Sequence, residues 1–238
     1  DDGKHKANEQ VAKNVSDEGI TLLENHGVLP LAKGSCVALL GEYYNYRITA
    51  IGAGLIKPRW TLSIEEAIGK SLSLSVSLKA KTALYFISRG SGENKDNRPI
   101  KGDYYLTDEE KEGLTKAKKE YEDVVLILNT GYPIEMGFIE SLGFSAVIWT
   151  GFSGQRGSES LIDILLGGVN PSGRLSDTWA LDYYDYPSAH NFINLDEKSP
   201  VYSDDGKKYG AKLYYEENQF VGYRYFDRYQ KKVTYSFG

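Results

Sequence analysis

One loop of the sequence gathers residue types that could perform acid–base chemistry. It spans residues 88 to 105 and has the sequence Ser-Arg-Gly-Ser-Gly-Glu-Asn-Lys-Asp-Asn-Arg-Pro-Ile-Lys-Gly-Asp-Tyr-Tyr. Two glycines flank Ser91 and free the backbone before Glu93, so this carboxyl group could approach a leaving-group oxygen, transfer a proton and withdraw. Burial would raise the pKa of Glu93, whereas the neighbouring Arg and Lys side chains would lower it. The loop alone leaves two interpretations open, because charged loops are usually just solvated surface.

The elements around this loop predict where it lies. Apolar runs and one alternating segment predict strands at 36–40, 71–78 (an edge strand), 82–88, 124–128 and 146–149. Helical spacing predicts helices at 5–25, 63–68, 107–121, 134–142 and 155–166, with a capping box between Thr107 and Glu110. This alternation predicts an α/β fold, a three-layer αβα sandwich that is flavodoxin-like in outline, with a mostly parallel sheet. Ligands of such sheets bind beyond the carboxyl ends of the strands, which indicates the loops that begin at Gly41, Arg89, Asn129 and Thr150.

The whole chain, 1–238, is expected to form a single αβα-sandwich domain. The regular pattern covers about 5–175, and residues 176–238 are expected to form an irregular, Tyr-rich tail that packs on it. The chain has 19 tyrosines against 8 phenylalanines. This ratio predicts surfaces that are apolar and hydrogen-bonding at once.

Composition argues against several classes of function. A net charge of −5 does not favour nucleic acid as a partner, because phosphate binding needs a basic face. No apolar run approaches the ~18 residues of a membrane helix, and the first ten residues do not resemble a signal peptide. The single cysteine, Cys36, excludes an internal disulfide and is predicted to lie buried in a strand. These features favour a cytoplasmic location, with secretion still possible.

Other catalytic arrangements have weaker support. The histidines are scattered, and none lies at a predicted strand end: His5, His26 and His190. Neither a Ser-His-Asp enzyme nor a metal site is therefore expected. Gly151, Gly154 and Gly157 lie between a strand and a helix, where backbone N–H groups could bind a phosphate. Their spacing matches no nucleotide-binding motif, and close packing is the simpler interpretation, although a nucleotide-binding flavodoxin-like domain stays an alternative.

Several long motifs in sequence order resemble one known family. They are 11–25 with Leu29-Pro30-Leu31, then 37–41, 126–135, 149–155, 163–167, 170–175 and 221–227. Together these segments resemble the αβα-sandwich domain of glycoside hydrolase family 3, the β-glucosidase and β-xylosidase family. The resemblance covers nearly the whole chain.

The resemblance implies a retaining glycosidase mechanism with two carboxyl groups roughly 5 Å apart. In this family the nucleophile is an aspartate on a separate (β/α)8 barrel, and the general acid/base is commonly a glutamate in a Ser-Arg-x-Ser-Gly-Glu loop. Ser88 to Glu93 matches that loop, so Glu93 is the expected catalytic acid/base. Arg89 and Asp96 are expected to position the loop or to contact the sugar. Trp60 could be a sugar platform, or it could pack at a helix start.

The same resemblance implies partners. They are a β-glucoside or related oligosaccharide and a (β/α)8 barrel domain or subunit, with no metal or organic cofactor. The barrel is absent from these 238 residues, so the chain is expected to be part of a larger enzyme and inactive alone. Asp177, in Ser-Asp-Thr-Trp, only mimics the nucleophile motif and is interpreted as part of a structural turn. A catalytically inactive sugar-binding or docking module is the alternative function.

Overall fold

The computed structural model describes residues 2–46, 57–92, 97–191 and 215–238. Its helices are α1 (Asp2–Gly19), α2 (Ile64–Ser71), α3 (Asp108–Glu120), α4 (Met136–Leu142), α5 (Gly157–Leu165) and α6 (Tyr223–Arg228). Its strands are β1 (Thr21–Asn25), β2 (Ser35–Gly41), β3 (Leu74–Val76), β4 (Thr82–Arg89), β5 (Asp123–Thr130), β6 (Ala146–Trp149), β7 (Trp179–Ala180) and β8 (Val233–Tyr235).

Six of these strands form one sheet, in the order β1-β6-β5-β4-β2-β3. All neighbouring pairs are parallel except β1 and β6, which are antiparallel. β7 and β8 pair antiparallel in a small second sheet. The predicted mostly parallel sheet is therefore confirmed.

Side chains that alternate along β4 show how the large sheet is covered. Leu84 and Phe86 pack in a core that also contains residues of α2 and α5. Tyr85 and Ile87 point the other way and pack with residues of α3 and α4. A parallel strand between two helical layers has no solvated face, so its sequence is an unbroken apolar run. The three-layer αβα sandwich is thus confirmed.

The predicted helix at 5–25 is wrong in its last part. α1 ends at Gly19, and 21–25 forms the antiparallel edge strand β1. Leu22 packs against the α2–α5 side of the sheet and Leu23 against the α3–α4 side, as successive residues of a strand must. Two of the residues used for the helical period, Val11 and Val15, are 59% and 67% exposed on α1. Their periodicity reflects a helix, but not its buried face.

The edge strand predicted at 71–78 exists but is shorter. β3 covers only Leu74–Val76 and lies at the end of the sheet beside β2. Leu72 caps α2 in a left-handed conformation and is 92% exposed, so the alternation at this end does not follow a strand. Cys36 lies in β2 as predicted, but it is half-buried rather than buried.

The described part of the tail is more regular than predicted. It contains β7, α6 and β8, and Trp179 of β7 is buried in the α3–α4 side of the core. The Trp179 ring meets Trp149 and Tyr235 edge to face, with centroids 5.7 Å and 6.2 Å away. Tyr235 in turn donates a hydrogen bond to Glu24 of β1. The tail is therefore fastened to the antiparallel edge of the sandwich.

Candidate active-site loop and its supports

The carboxyl ends of β2, β4 and β5 meet at one edge of the sheet. Gly41 is in register with Phe86, and Arg89 with Thr130. The loops that follow these strands are consequently neighbours, as the parallel sheet predicts. Glu93 and Asp96, the expected acid/base and one of its supports, lie outside the described residues. The structure does describe the segments on either side, which end at Gly92 and resume at Asn97.

Arg89, the last residue of β4, is buried and fully engaged with protein groups. Its Nε donates to the Asp103 carbonyl at 3.1 Å, and its Nη1 to the Ser88 carbonyl at 3.1 Å. Its Nη2 donates to Glu110 Oε2 at 2.6 Å. Burial by itself would lower the pKa of Arg89, but the Glu110 carboxylate reverses this effect and raises it. Of the two roles expected for Arg89, these contacts favour positioning of the loop.

Glu110 joins the start of α3 to the end of β4. The predicted capping box is confirmed, because Thr107 Oγ1 accepts from Glu110 N and Glu110 Oε2 accepts from Thr107 N. The same Oε2 atom accepts the hydrogen bond from Arg89. One carboxylate oxygen therefore satisfies a helix terminus and a buried guanidinium at once.

Glu42 supports β4 from the adjacent loop. Its Oε2 accepts a hydrogen bond from the backbone N–H of Ser88 at 3.1 Å and lies 3.9 Å from Arg89 Nη1. Glu42 directly follows Gly41, the last residue of β2, and so belongs to one of the loops that the sequence indicates as ligand-facing. The buried guanidinium thus lies between two carboxylates, Glu42 and Glu110.

Asp103 fastens the second half of the loop to the end of β5. Its side chain is buried, and it accepts from Tyr132 Oη at 2.7 Å and from Arg98 Nε at 3.1 Å. Burial, followed by the hydrogen bond to this carboxylate, raises the pKa of Tyr132. Since Arg89 binds the Asp103 carbonyl, the residues on either side of the segment 90–102 are joined directly at the end of β4.

Both segments next to Glu93 lie against the loop that follows β5. A Cβ atom built on Gly131 would lie 2.5 Å from Ser91 Oγ and 2.7 Å from the Phe152 ring, so these three residues are closely packed. On the other side, Asn97 Nδ2 donates to the Pro133 carbonyl at 3.4 Å. The described residues on either side of Glu93 therefore both lie at the carboxyl-end edge of the sheet.

A polar cleft of about 520 Å³ opens beside this loop. It is lined by Arg89, the loop residues Arg98, Lys101 and Asp103, and Glu42 and Tyr44 after β2. The cleft contains charges of both signs. Within the described ranges, no group of three His, Cys, Asp or Glu side chains could hold a metal ion.

Trp60 lies on the other side of the sheet from Arg89. Its Nε1 donates to Glu9 Oε1 of α1 at 3.0 Å, and Lys70 Nζ of α2 lies 5.7 Å from its ring centroid. Glu9 Oε1 also accepts from Gln155 Nε2 at 3.2 Å, after β6. Trp60 is 37% exposed, so one part of its ring is in contact with protein and another is open to a ligand. The structure does not bring Trp60 together with Arg89.

Of the three glycines after β6, only Gly157 is closely packed, whereas Gly151 and Gly154 adopt positive φ angles of 55° and 72° in the loop. A Cβ atom on Gly157 would lie 1.9 Å from Ser153 Oγ, which only glycine avoids. At the same helix start, Arg156 binds Glu159 through two hydrogen bonds of 2.8 Å and 3.0 Å. The Arg156 hydrogen bond lowers the pKa of Glu159. The positive charge of Arg156 is therefore balanced by Glu159 within the first turn of α5.

Sequence reasoning missed Glu42, Asp103 and Tyr132 as supports of the loop. The sequence does contain a signal for Glu42, because this residue follows the carboxyl end of a strand, where ligands of parallel sheets bind. Tyr132 follows the strand end at Thr130 in the same way. None of the described helices is both long and apolar enough to cross a membrane.

These features define a class: an αβα-sandwich domain that presents a clamped, charged loop at the carboxyl edge of a parallel sheet. Residues 20–223 match the family model of the Glycosyl hydrolase family 3 C-terminal domain. The chain therefore belongs to this family of domains.

Relatives with known names agree with that assignment. The beta-glucosidase of Ruminococcus albus is 32% identical over 272 residues, covering 95% of this chain and 27% of that protein. Beta-glucosidase A of Butyrivibrio fibrisolvens is 30% identical over 288 residues, covering 93% of this chain and 33% of that protein. The structure of beta-glucosidase 3B from Thermotoga neapolitana in complex with glucose superposes with a TM-score of 0.86 at 28% identity, covering 98% of this chain and 38% of that one. The chain thus spans only about a quarter to two-fifths of these relatives.

Proposed function

We propose that this chain supplies the general acid/base of a retaining β-glycosidase, most closely a β-glucosidase, and that Glu93 is that group. A (β/α)8 barrel domain or subunit would supply the nucleophilic aspartate. The proposal is supported by the family assignment, by the Ser-Arg-Gly-Ser-Gly-Glu sequence and by the clamped base of the loop that contains Glu93.

In the first step, the Glu93 carboxyl group would give its proton to the glycosidic oxygen while the bond from C1 to that oxygen breaks. The barrel aspartate would form a new bond to C1 in the same step. In the second step, the Glu93 carboxylate would take a proton from water, whose oxygen bonds to C1 and displaces the aspartate. Glu93 ends each cycle protonated, and configuration at C1 is retained.

The closed base of the loop is the observation that carries this proposal. A general acid must come within hydrogen-bond reach of one oxygen, and misplacement by 1 Å can cost about 100-fold in rate. Arg89 links the end of β4 to Asp103, and Asp103 is bound in turn by Tyr132. The described ends of the Glu93 loop are thereby attached to two neighbouring strands, β4 and β5.

The test uses the chain joined to a family 3 barrel domain, with Glu93→Gln as the variant. Loss of a general acid should slow β-glucosides with poor leaving groups by about 10²–10⁴-fold. With a 2,4-dinitrophenyl β-glucoside, whose leaving group needs no proton, the rate of the glycosylation step should fall far less. The matched control is Glu112→Gln, an exposed glutamate on α3. Equal rates for Glu93→Gln and the control on both substrates would disprove the assignment and favour a non-catalytic sugar-binding or docking module.

A further inference from the structure

A second cavity, of about 300 Å³, lies between the Glu93 loop and the tail. Three tyrosines line it together with Asn97, Asp177 and Ser188: Tyr104, Tyr183 and Tyr186. Its volume is at the lower end of the range for small-molecule sites, which suits a single ring-sized ligand. Asn97 is the first described residue after Glu93, so the cavity borders the returning end of that loop.

Contacts within the protein hold the tyrosine rings that line the cavity in fixed positions. Tyr186 Oη donates to the Thr178 carbonyl at 3.1 Å and accepts from Ala180 N at 3.0 Å, which fixes its ring. Tyr104 is buried, and its ring packs edge to face on Tyr183 with the centroids 5.3 Å apart. A ligand would thus meet rigid aromatic surfaces rather than have to order them.

Asp177 is the charged group of the cavity. Over the described ranges, its carboxylate makes neither a hydrogen bond nor an ion pair. The two aspartates that follow it in the same segment are engaged locally, since Asp182 and Asp185 cap a short helical turn. The residue is exposed on one side, yet burial by the surrounding residues raises its pKa. This carboxylate is partly shielded from water and binds no described protein group, so it can accept hydrogen bonds from a ligand in the cavity.

The polar groups around the cavity indicate the chemistry of that ligand. A carboxylate only accepts hydrogen bonds, whereas the Asn97 amide and the Ser188 hydroxyl can both donate and accept. Vicinal hydroxyl groups on an apolar ring match this combination, because they donate and accept while the ring face contacts a tyrosine. A quaternary ammonium ion could use the carboxylate and the rings, but it could not use the amide or the hydroxyl.

We propose that this cavity binds one pyranose ring, with Asp177 accepting hydrogen bonds from the sugar hydroxyls. The inference deepens the proposed function, on which it rests, because it assigns this domain a sugar contact of its own apart from Glu93. The cavity could then hold an oligosaccharide substrate through a sugar unit that lies beyond the glycosidic bond being cleaved.

The test is a titration of the 238-residue chain with methyl β-D-glucopyranoside, followed by ligand-observed saturation-transfer NMR. We expect saturable binding that weakens about tenfold in Asp177→Ala, the loss of one charge-assisted interaction. Ser188→Ala should weaken it by a smaller factor and serves as the second variant if Asp177→Ala does not fold. Asp227→Asn, an exposed aspartate on α6, is the matched control and should bind as the wild type does.

Three results would overturn the inference: no saturable binding by the wild-type chain, equal binding by all variants, or displacement of the glucoside by tetramethylammonium ion. The outcome is independent of the acid/base assignment, because this assay involves no catalysis. If Glu93→Gln abolishes general acid catalysis while Asp177→Ala leaves glucoside binding unchanged, only the inference about the cavity fails. If Asp177→Ala weakens binding while Glu93→Gln leaves hydrolysis intact, only the assignment of Glu93 fails.

Discussion

Arg89 donates to Glu110 over 2.6 Å and so ties the end of β4 to the first turn of α3. Glu110 is at the same time the N3 residue of the α3 capping box. The ion pair therefore joins the strand that leads into the Glu93 loop to the helix that follows it.

Arg89→Ala should destabilise the chain by about 3–5 kcal/mol, because it leaves the Glu110 and Glu42 carboxylates without their buried cation. Arg89→Lys should recover only part of this loss, since an ammonium group cannot reproduce the three-way contact of the guanidinium. Urea unfolding measures both changes. The control is Lys116→Ala, which removes an exposed ion pair with Glu120 and should cost about 1 kcal/mol or less. A loss for Arg89→Ala as small as that of the control would contradict the buried role.

The hydrogen bond between Tyr132 and Asp103 should act on the loop rather than on the fold as a whole. We expect Tyr132→Phe to cost about 1–2 kcal/mol in stability. In the enzyme completed by a barrel domain, it should lower kcat more than it raises KM. A double-mutant cycle with Asp103→Asn separates this pair from the other contacts of Asp103. Additive effects in that cycle would show that the two side chains do not support the loop together.

Gly131→Ala should misplace the upstream side of the Glu93 loop. The new methyl group would meet Ser91 Oγ and the Phe152 ring at distances of 2.5 Å and 2.7 Å, so both side chains must move. Because catalysis is sensitive to small displacements, we expect kcat of the enzyme completed by a barrel domain to fall on the order of tenfold or more. The matched control is Gly69→Ala within α2, where a Cβ meets nothing within 4 Å. That variant should keep full activity and gain roughly 0.5–1 kcal/mol of helix stability. Full activity of Gly131→Ala would rule out this packing as a positioning contact.

Asp177 predicts a pH dependence of stability. Burial raises the pKa of its carboxyl group in the folded chain, so the folded state binds the proton more tightly than the unfolded state does. The ionised carboxylate therefore destabilises the fold at neutral pH, and this cost disappears as the pH falls below the folded pKa. Asp177→Asn should consequently be more stable than the wild type at pH 7, with no difference at pH 3. Chemical denaturation at both values measures this, and an advantage of the wild type at pH 7 would contradict it.

The parallel core was predictable because it depends on local patterns alone. β4, β5 and β6 are unbroken apolar runs, and Thr107 with Glu110 forms the capping box that their spacing predicts. The boundary between α1 and β1 was not predictable in this way. Leu22 and Leu23 fit a helical period as well as a strand, and only pairing with β6 decides between them.

The supports of the candidate site depend on contacts far apart in sequence. Arg89 meets Asp103, fourteen residues later, and Glu42 reaches the N–H of Ser88 because β2 and β4 are adjacent. Such pairings follow from strand order and register, which the sequence of each segment does not contain. The family motif points to Glu93 from sequence alone, whereas the burial of Arg89 and the unpaired carboxylate of Asp177 could be found only in the fold.

The central claim is that Glu93 is the acid/base of a retaining glycosidase, and azide rescue tests it most directly. The enzyme is the chain carrying Glu93→Ala joined to a family 3 barrel domain, with 2,4-dinitrophenyl β-glucoside as substrate. Without the carboxylate, water is no longer activated, and small azide ions can attack the glycosyl-enzyme in its place. We predict that azide increases the turnover rate and that the product is β-glucosyl azide. An α-glucosyl azide would identify the altered residue as the nucleophile, and the absence of both rescue and azide product would contradict the assignment of Glu93.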